Sequence, residues 1–293
     1  AQVALAAILV SQGREGDAIL CDRLVYPGLL QAAAALGRRL VTVEGDEQGM
    51  CPEALARRAR ECGARLVYLN PTCQNPTALT VPTTRREALA RVLEREGLLA
   101  IEDDPYWHLA VTAPIALATL APRHVFHVAT LSKVISPGLR TAFVQCPGAA
   151  HAEAMATALR ATRLMGHPLV SALASQLLLD GSAQALLAQV REEARERTRM
   201  ARYLLAPSLL ERADGLHAWC RVPAPWTDAT LVRTAQLQGL AIAPSSAFCP
   251  PGATFASGVR LSLGLAADRR QLENALRRID RLLLSDALPA IDR

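Results

Sequence analysis

Short apolar runs alternate with stretches of helical spacing over residues 18–146, and this alternation restricts the fold more than any other feature of the chain. Residues 18–21, 40–43, 65–69, 98–101, 125–129 and 141–146 read as short strands dominated by aliphatic side chains. Residues 29–36, 53–62 and 84–96 repeat apolar positions at the helical period. Strands without clean polar alternation are covered on both faces, and helices between successive strands are the crossovers of a parallel sheet. The expected architecture is α/β, a mostly parallel sheet sandwiched by helices.

The pattern changes beyond about residue 150. Residues 151–165 and 182–210 read as long helices. Strands at 216–222, 240–243 and 258–263 then mix with helices at 228–238 and 268–284. That is an α+β lobe, so a large domain is expected over residues 1–185 and a smaller C-terminal domain over 186–293. Residues 1–10 read as a helix already under way, without an initiating Met. The natural protein is therefore expected to extend further toward its N-terminus.

Composition narrows the function classes. The formal charge is +5, from 32 Lys+Arg against 27 Asp+Glu, and the basic residues form no block, which argues against a nucleic-acid surface in this chain. Seven cysteines, an odd number with no C-x-x-C pair, fit a reducing cytoplasm better than a disulfide frame or a zinc site. The histidines show no metal spacing, and Trp107 and His108 read as packing or rim residues. The apolar opening is too short to span a bilayer. A single lysine, Lys133, stands among many arginines. Any chemistry that needs a side-chain primary amine has this one candidate.

Three motifs follow three of the expected strands. Thr130-Leu131-Ser132-Lys133, then Pro137-Gly138-Leu139-Arg140, comes after 125–129. Hydroxyls at 130 and 132 and a guanidinium at 140 suit a phosphate, and the amine between them can condense with an aldehyde. A polar loop with a surface lysine would look similar. Glu102-Asp103-Asp104-Pro105-Tyr106 comes after 98–101, where Asp103 and Tyr106 can hold a heterocycle by its nitrogen and its oxygen. An Asp-Pro turn is the plainer alternative. Asn70-Pro71-Thr72-Cys73-Gln74-Asn75-Pro76-Thr77 comes after 65–69, with Thr84 a candidate cap for the next helix.

In this order and at these separations, the three motifs resemble those of fold-type-I pyridoxal-phosphate enzymes, and most closely the class I/II aminotransferases. The resemblance runs over nearly the whole chain. It implies transfer of an amino group from an amino acid to a 2-oxo acid through a Schiff base on Lys133. Asp103 would pair with the pyridine nitrogen, which should lower its pKa. Tyr106 and Asn75 would hold the ring's phenolic oxygen. Thr130, Ser132 and Arg140 would hold the phosphate, helped by the helix N-terminus at Ala1 and Gln2. Tyr26 would stack on the ring. Arg260, with Asn75, would bind the substrate carboxylate. Glu102 and Asp104 would be structural. Two positions depart from the family pattern, Ala78 and Ala142, where glycine is usual. Alanine fits there unless φ is positive.

Other segments resemble the aminotransferase-like domain of GntR-type regulators of the MocR group. They are Asn75-Pro76-Thr77-Ala78 with Arg85-Arg86, the stretch 159–165, and Trp219 with Pro223-Ala224-Pro225-Trp226. That resemblance implies a second function, a coenzyme-bearing sensor whose DNA contacts belong to a preceding domain outside this chain. Either way a homodimer is expected, with no resident metal and no membrane partner.

Overall fold

The alternation folds into a six-stranded sheet, seen in a computed structural model that describes residues 1–110, 112–163, 165–255 and 257–285. Helix α1 (Gln2–Ser11) leads to β1 (Ala18–Cys21), α2 (Pro27–Ala35), β2 (Arg39–Thr42) and a small hairpin of β3 (Gly45–Asp46) and β4 (Gly49–Met50). Then come α3 (Pro52–Cys62), β5 (Leu66–Leu69), α4 (Thr83–Glu96), β6 (Leu99–Asp103), α5 (Leu117–Leu120), β7 (Val125–Thr130), β8 (Ala142–Gln145) and α6 (Ala149–Thr162). The sheet order is β2-β1-β5-β6-β7-β8. Every neighbouring pair is parallel except β7 with β8.

Both faces of this sheet are buried, as continuous apolar runs require. Side chains alternate between two cores with the period of a strand. Leu20, Val67, Leu69 and Ala100 pack with α3, α4 and α5. Ile19, Leu66, Tyr68 and Ile101 pack with α1, α2 and α6. The sheet's six strands lie within a residue or two of the sequence reading. Helix α4 starts one residue earlier than expected. Pro82, in an extended conformation, stands at its N-cap, so Thr84 caps nothing.

The second half carries α7 (Pro168–Leu179), α8 (Ser182–Leu204), β9 (Leu210–Asp214), β10 (His217–Arg221), α9 (Asp228–Leu237), β11 (Ala243–Pro244), β12 (Gly258–Ser262) and α10 (Arg269–Leu283). Its sheet is antiparallel, in the order β11-β12-β10-β9. Ala218, Cys220, Val259 and Leu261 point into a core shared with α8, α9 and α10. The long helix expected over 182–210 is shorter, because Leu205 turns extended two residues before Pro207 and the chain from Leu210 pairs as β9. The strand expected at 240–243 shrinks to Ala243–Pro244, at the edge of the sheet, where a proline is tolerated. Residue 185 falls inside α8, which is unbroken from Ser182 to Leu204. The stretch 159–165 spans the end of α6, and its Leu164 lies outside the described residues.

A buried ionic cluster fixes the carboxyl end of β6. Arg86 and Glu102 are both fully buried, with Nη1 to Oε1 at 3.6 Å. Arg86 also donates to the carbonyls of Val81 (2.9 Å) and Pro71 (2.8 Å) and to Thr72 Oγ1 (2.9 Å). Glu102 accepts from the Leu117 and Ala118 amides at 2.8 and 2.9 Å, so it satisfies the open N–H groups at the start of α5. Thr72 donates to Asp104 Oδ2 at 3.0 Å. Glu102 and Asp104 thus flank Asp103 as anchors.

Two expectations follow for stability. Ala78 has φ of +56°, so the glycine usual there has a physical reason, whereas Ala142 sits in β8 and is not among the left-handed residues. Ala78→Gly should stabilise the fold by about 1 kcal/mol, seen as a higher urea midpoint at unchanged slope. A lower midpoint would contradict strain at that position. The Asp104 carboxyl is pushed up to about 8, by burial first and then by the Glu102 charge. The folded chain therefore keeps this proton where the unfolded chain, with a pKa of about 3.9, has released it. Its contribution is complete below that value and is lost as pH rises toward 8. Asp104→Asn keeps an acceptor for Thr72 and removes the titration. Its stability relative to the parent should grow from pH 5 to pH 8, and a constant difference across paired urea titrations would refute the assignment.

Candidate active site

One cavity of about 550 Å³ lies at the carboxyl ends of the parallel strands and reaches the small sheet. This is where an open α/β sheet binds ligands. All eleven site residues expected from the sequence line it: Ala1, Gln2, Tyr26, Asn75, Asp103, Tyr106, Thr130, Ser132, Lys133, Arg140 and Arg260. They come from the start of α1, the start of α2, the loops after β5, β6 and β7, and strand β12. The three sequence motifs meet because β5, β6 and β7 are adjacent and parallel.

Asp103 ends β6 with its carboxylate buried. Oδ2 accepts from the Tyr68 hydroxyl at 2.7 Å, and Oδ1 has no partner. Burial pushes its pKa up, opposed by the Tyr68 hydrogen bond. The expected lowering is thus not found with protein atoms alone; it requires a cation at Oδ1. Asn70 donates to the Asp103 carbonyl at 2.6 Å and accepts from the Asn75 amide at 2.7 Å, which couples the loop after β5 to the end of β6. Gln74 donates to Asp22 at 2.9 Å and ties the same loop to the end of β1.

Arg260 crosses from β12 to that loop. Its Nη1 donates to Asn75 Oδ1 at 2.7 Å, its guanidinium lies 5.1 Å from the Phe248 ring centroid, and its Nε is buried without a partner. A planar cation with an unused donor is suited to a carboxylate. Tyr106 is buried, and its hydroxyl lies 2.9 Å from His217 Nε2, so this phenol is already engaged.

On the other side, the Thr130 hydroxyl donates to the Thr141 carbonyl at 2.9 Å and accepts from the Ser132 amide at 3.2 Å, so it braces the lysine loop. Arg140 adopts φ of +45°, a rare conformation for a residue with a side chain, of the kind that gathers at binding sites. Gln2 donates to the Gly28 carbonyl at 2.8 Å. A Cβ on Gly28 would come within 2.1 Å of Gln2 Oε1 and 2.2 Å of Tyr26 Cε1, so only glycine lets these two side chains converge. Lys133 stands exposed within the cavity. Its pKa is drawn down by partial burial, then by the Arg260 and Arg140 charges. A less protonated amine is a better nucleophile.

Sequence reasoning missed four of these residues. Tyr68 carries a hydroxyl inside an apolar strand, and that was its only signal. Gly28 and Arg163, the latter also lining the cavity, gave none. His217, like the other histidines a packing or rim residue from sequence, lines it too. Lys133, Arg140, Arg163 and Arg260 face a single lining carboxylate, Asp103, so the cavity favours an anionic ligand. Among the described residues no group of three His, Cys, Asp or Glu could hold a metal ion, and no helix is long and apolar enough to cross a membrane.

These features fit pyridoxal phosphate. The unpartnered Asp103 Oδ1 is a buried acceptor that a protonated ring nitrogen would satisfy, Lys133 offers the amine, and Arg140 with the start of α1 would hold the phosphate.

Comparisons with known proteins agree. The model of the family "Aminotransferase class I and II" matches residues 1–279. An uncharacterized HTH-type transcriptional regulator of Bacillus subtilis (strain 168), YdeF, is 30% identical over 284 residues, covering 96% of this chain and 61% of that protein. The chain thus spans about three fifths of that relative's length. The 2-aminoadipate transaminase of Thermus thermophilus is 30% identical over 289 residues, covering 92% of this chain and 70% of the enzyme. Among solved structures, the α-aminoadipate aminotransferase LysN of the same organism, complexed with N-(5'-phosphopyridoxyl)-L-leucine, superposes with a TM-score of 0.86 at 27% identity, covering 96% of this chain and 75% of that one. With the family model running from the first helix into the last and the motif residues gathered around one cavity, the chain belongs to the class I and II aminotransferase family.

Proposed function

We propose that the chain is a pyridoxal-phosphate-dependent aminotransferase unit that moves an amino group from an amino acid to a 2-oxo acid by ping-pong transfer. The observation that carries this reading is the single lysine, Lys133, sharing one cavity with a buried carboxylate whose Oδ1 has no partner. When bound, the coenzyme supplies an aldehyde and a ring that accepts electrons from the substrate's Cα. Lys133 would anchor it and would move a proton on Nζ to and from the substrate. Asp103 Oδ1 holds the proton on the ring nitrogen. Tyr26 would stack on the ring, and Asn75 and Tyr106 would hold its phenolic oxygen. Ser132, Arg140 and the start of α1 at Ala1 and Gln2 would hold the phosphate, with Thr130 bracing the loop that carries Lys133. Arg260 orients the substrate by its carboxylate, beside Asn75.

A second reading is favoured by the match to YdeF, which covers nearly all of this chain and leaves about two fifths of that regulator unmatched. In it the same cavity senses a ligand for a DNA-binding domain that lies outside this chain. A homodimer is supported by α7, where Leu169 and Leu179 are 86% and 85% exposed and only Ala174 is buried. A second copy of the chain suits so apolar a helix. The division into domains 1–185 and 186–293 is supported by the two separate sheets. A cytoplasmic setting is supported by the seven free cysteines.

The chain incubated with pyridoxal phosphate, reduced with borohydride and digested should carry the adduct on Lys133, and Lys133→Ala should carry none. An unmodified Lys133 would end both readings. Single-turnover spectra with a panel of amino acids then separate them. Loss of the aldehyde absorption with at least one amino acid supports transfer. Binding that leaves this absorption in place with every amino acid supports the sensor and removes the enzyme.

A further inference from the structure

His217 begins β10 and has no part in the chemistry above. It is 5% exposed, yet it lines the cavity. Its Nε2 lies 2.9 Å from the Tyr106 hydroxyl, and the two rings meet edge to face with centroids 5.0 Å apart. Its Nδ1 is buried and without a partner. The contact joins the small sheet to the loop after β6.

The titratable and charged groups that face His217 are Tyr106, Arg260 and Lys133. Burial, then the Arg260 and Lys133 charges, hold its pKa down to about 3, so the imidazole is neutral and carries one proton. That proton has two places to sit. On Nδ1 it would be a buried N–H with only the Leu216 backbone nearby, outside hydrogen-bond geometry, and the Tyr106 proton would be spent on Nε2. On Nε2 it is used in the bond to Tyr106, and Nδ1 is left only as an unused acceptor. Orphaned buried donors are the rarer and costlier of the two. The second arrangement also leaves the Tyr106 proton free. A donor into the phenol oxygen polarises its O–H and makes it the stronger donor in turn.

We propose that His217 is a positioning residue whose Nε2–H donates to the Tyr106 oxygen and turns the Tyr106 hydroxyl proton into the cavity, toward the phenolic oxygen of bound pyridoxal phosphate. This rests on the coenzyme reading given above. In this role His217 acts through Tyr106. It sets which way one hydrogen bond runs, and through it the proton affinity of the bound coenzyme.

The test is a pH titration of the visible absorption of the coenzyme-loaded protein. In His217→Leu the apparent pKa should rise by roughly half a unit, about a threefold change in proton affinity, because the bond that favours the deprotonated form is weakened. His217→Gln, whose amide N–H can reach the same oxygen, should titrate near the parent. In a Tyr106→Phe background, His217→Leu should change nothing. If the leucine variant does not fold, His217→Ala serves the same arm. A downward shift would mean that His217 takes the Tyr106 proton and would overturn the proposal. An unchanged titration, or a shift that persists without the Tyr106 hydroxyl, would overturn it equally. A parent protein that takes up no coenzyme defeats the proposed function and this inference together. A loaded parent with a silent His217 defeats this inference alone.

Discussion

A buried carboxylate with one unsatisfied oxygen is a costly group, and the structure around Asp103 is arranged to keep it in place. Removing a hydrogen-bond partner from such a group costs about 1–3 kcal/mol. The chain leaves Oδ1 open while supplying Oδ2 with the Tyr68 hydroxyl. On either side, Glu102 and Asp104 are held by Arg86, Thr72 and the amides that open α5. Breaking a buried ion pair by removing one partner costs about 3–5 kcal/mol, so this frame does not relax to shelter Asp103. A cation at Oδ1 would then gain from the protein's prior cost. In the proposed function that cation is the protonated ring.

The second constraint is the meeting of the two sheets. Arg260 and His217 lie on neighbouring antiparallel strands, and both point to the side away from the small core. Each is tied to a loop of the large sheet, Arg260 through Asn75 and His217 through Tyr106. A substrate carboxylate would compete with Asn75 for the same guanidinium. Ligand chemistry and the placement of the small sheet are therefore coupled by direct contacts.

Much of this was legible in the sequence, for reasons that differ by element. The parallel strands were plain because each is an apolar run bounded by turn residues, and burial on both faces leaves no polar alternation to confuse the reading. Residues 101–106 and 130–140 were plain because their chemistry sits in short contiguous motifs. The single Lys133 removed any ambiguity about the amine. The small lobe was harder. Residues 205–210 were read as the end of a helix, and only Pro207 and pairing with β10 decide otherwise. Tyr68, Gly28 and His217 were invisible because their roles come from tertiary neighbours. Tyr68 reaches Asp103 across adjacent strands, Gly28 makes room for Gln2 and Tyr26, and His217 meets a phenol 111 positions away. The Ala78 departure could be stated from sequence, but its cost depended on a φ that only the fold supplies.

The same contacts explain why catalysis and sensing are close alternatives for one cavity. A ligand shifts a conformational equilibrium only by its differential affinity for the two states. Here that difference would arise at Arg260, where a carboxylate taken by the unused Nε would alter the bond to Asn75 that ties the two sheets together. An enzyme uses that change to close over its substrate and then reverses it when product leaves. A sensor needs the same change to persist, which requires only that the proton on Lys133 Nζ be transferred slowly relative to ligand exchange. The determinant of function is therefore a rate at one amine, set by the groups that tune it. Burial, then Arg260 and Arg140, lower the proton affinity of Lys133.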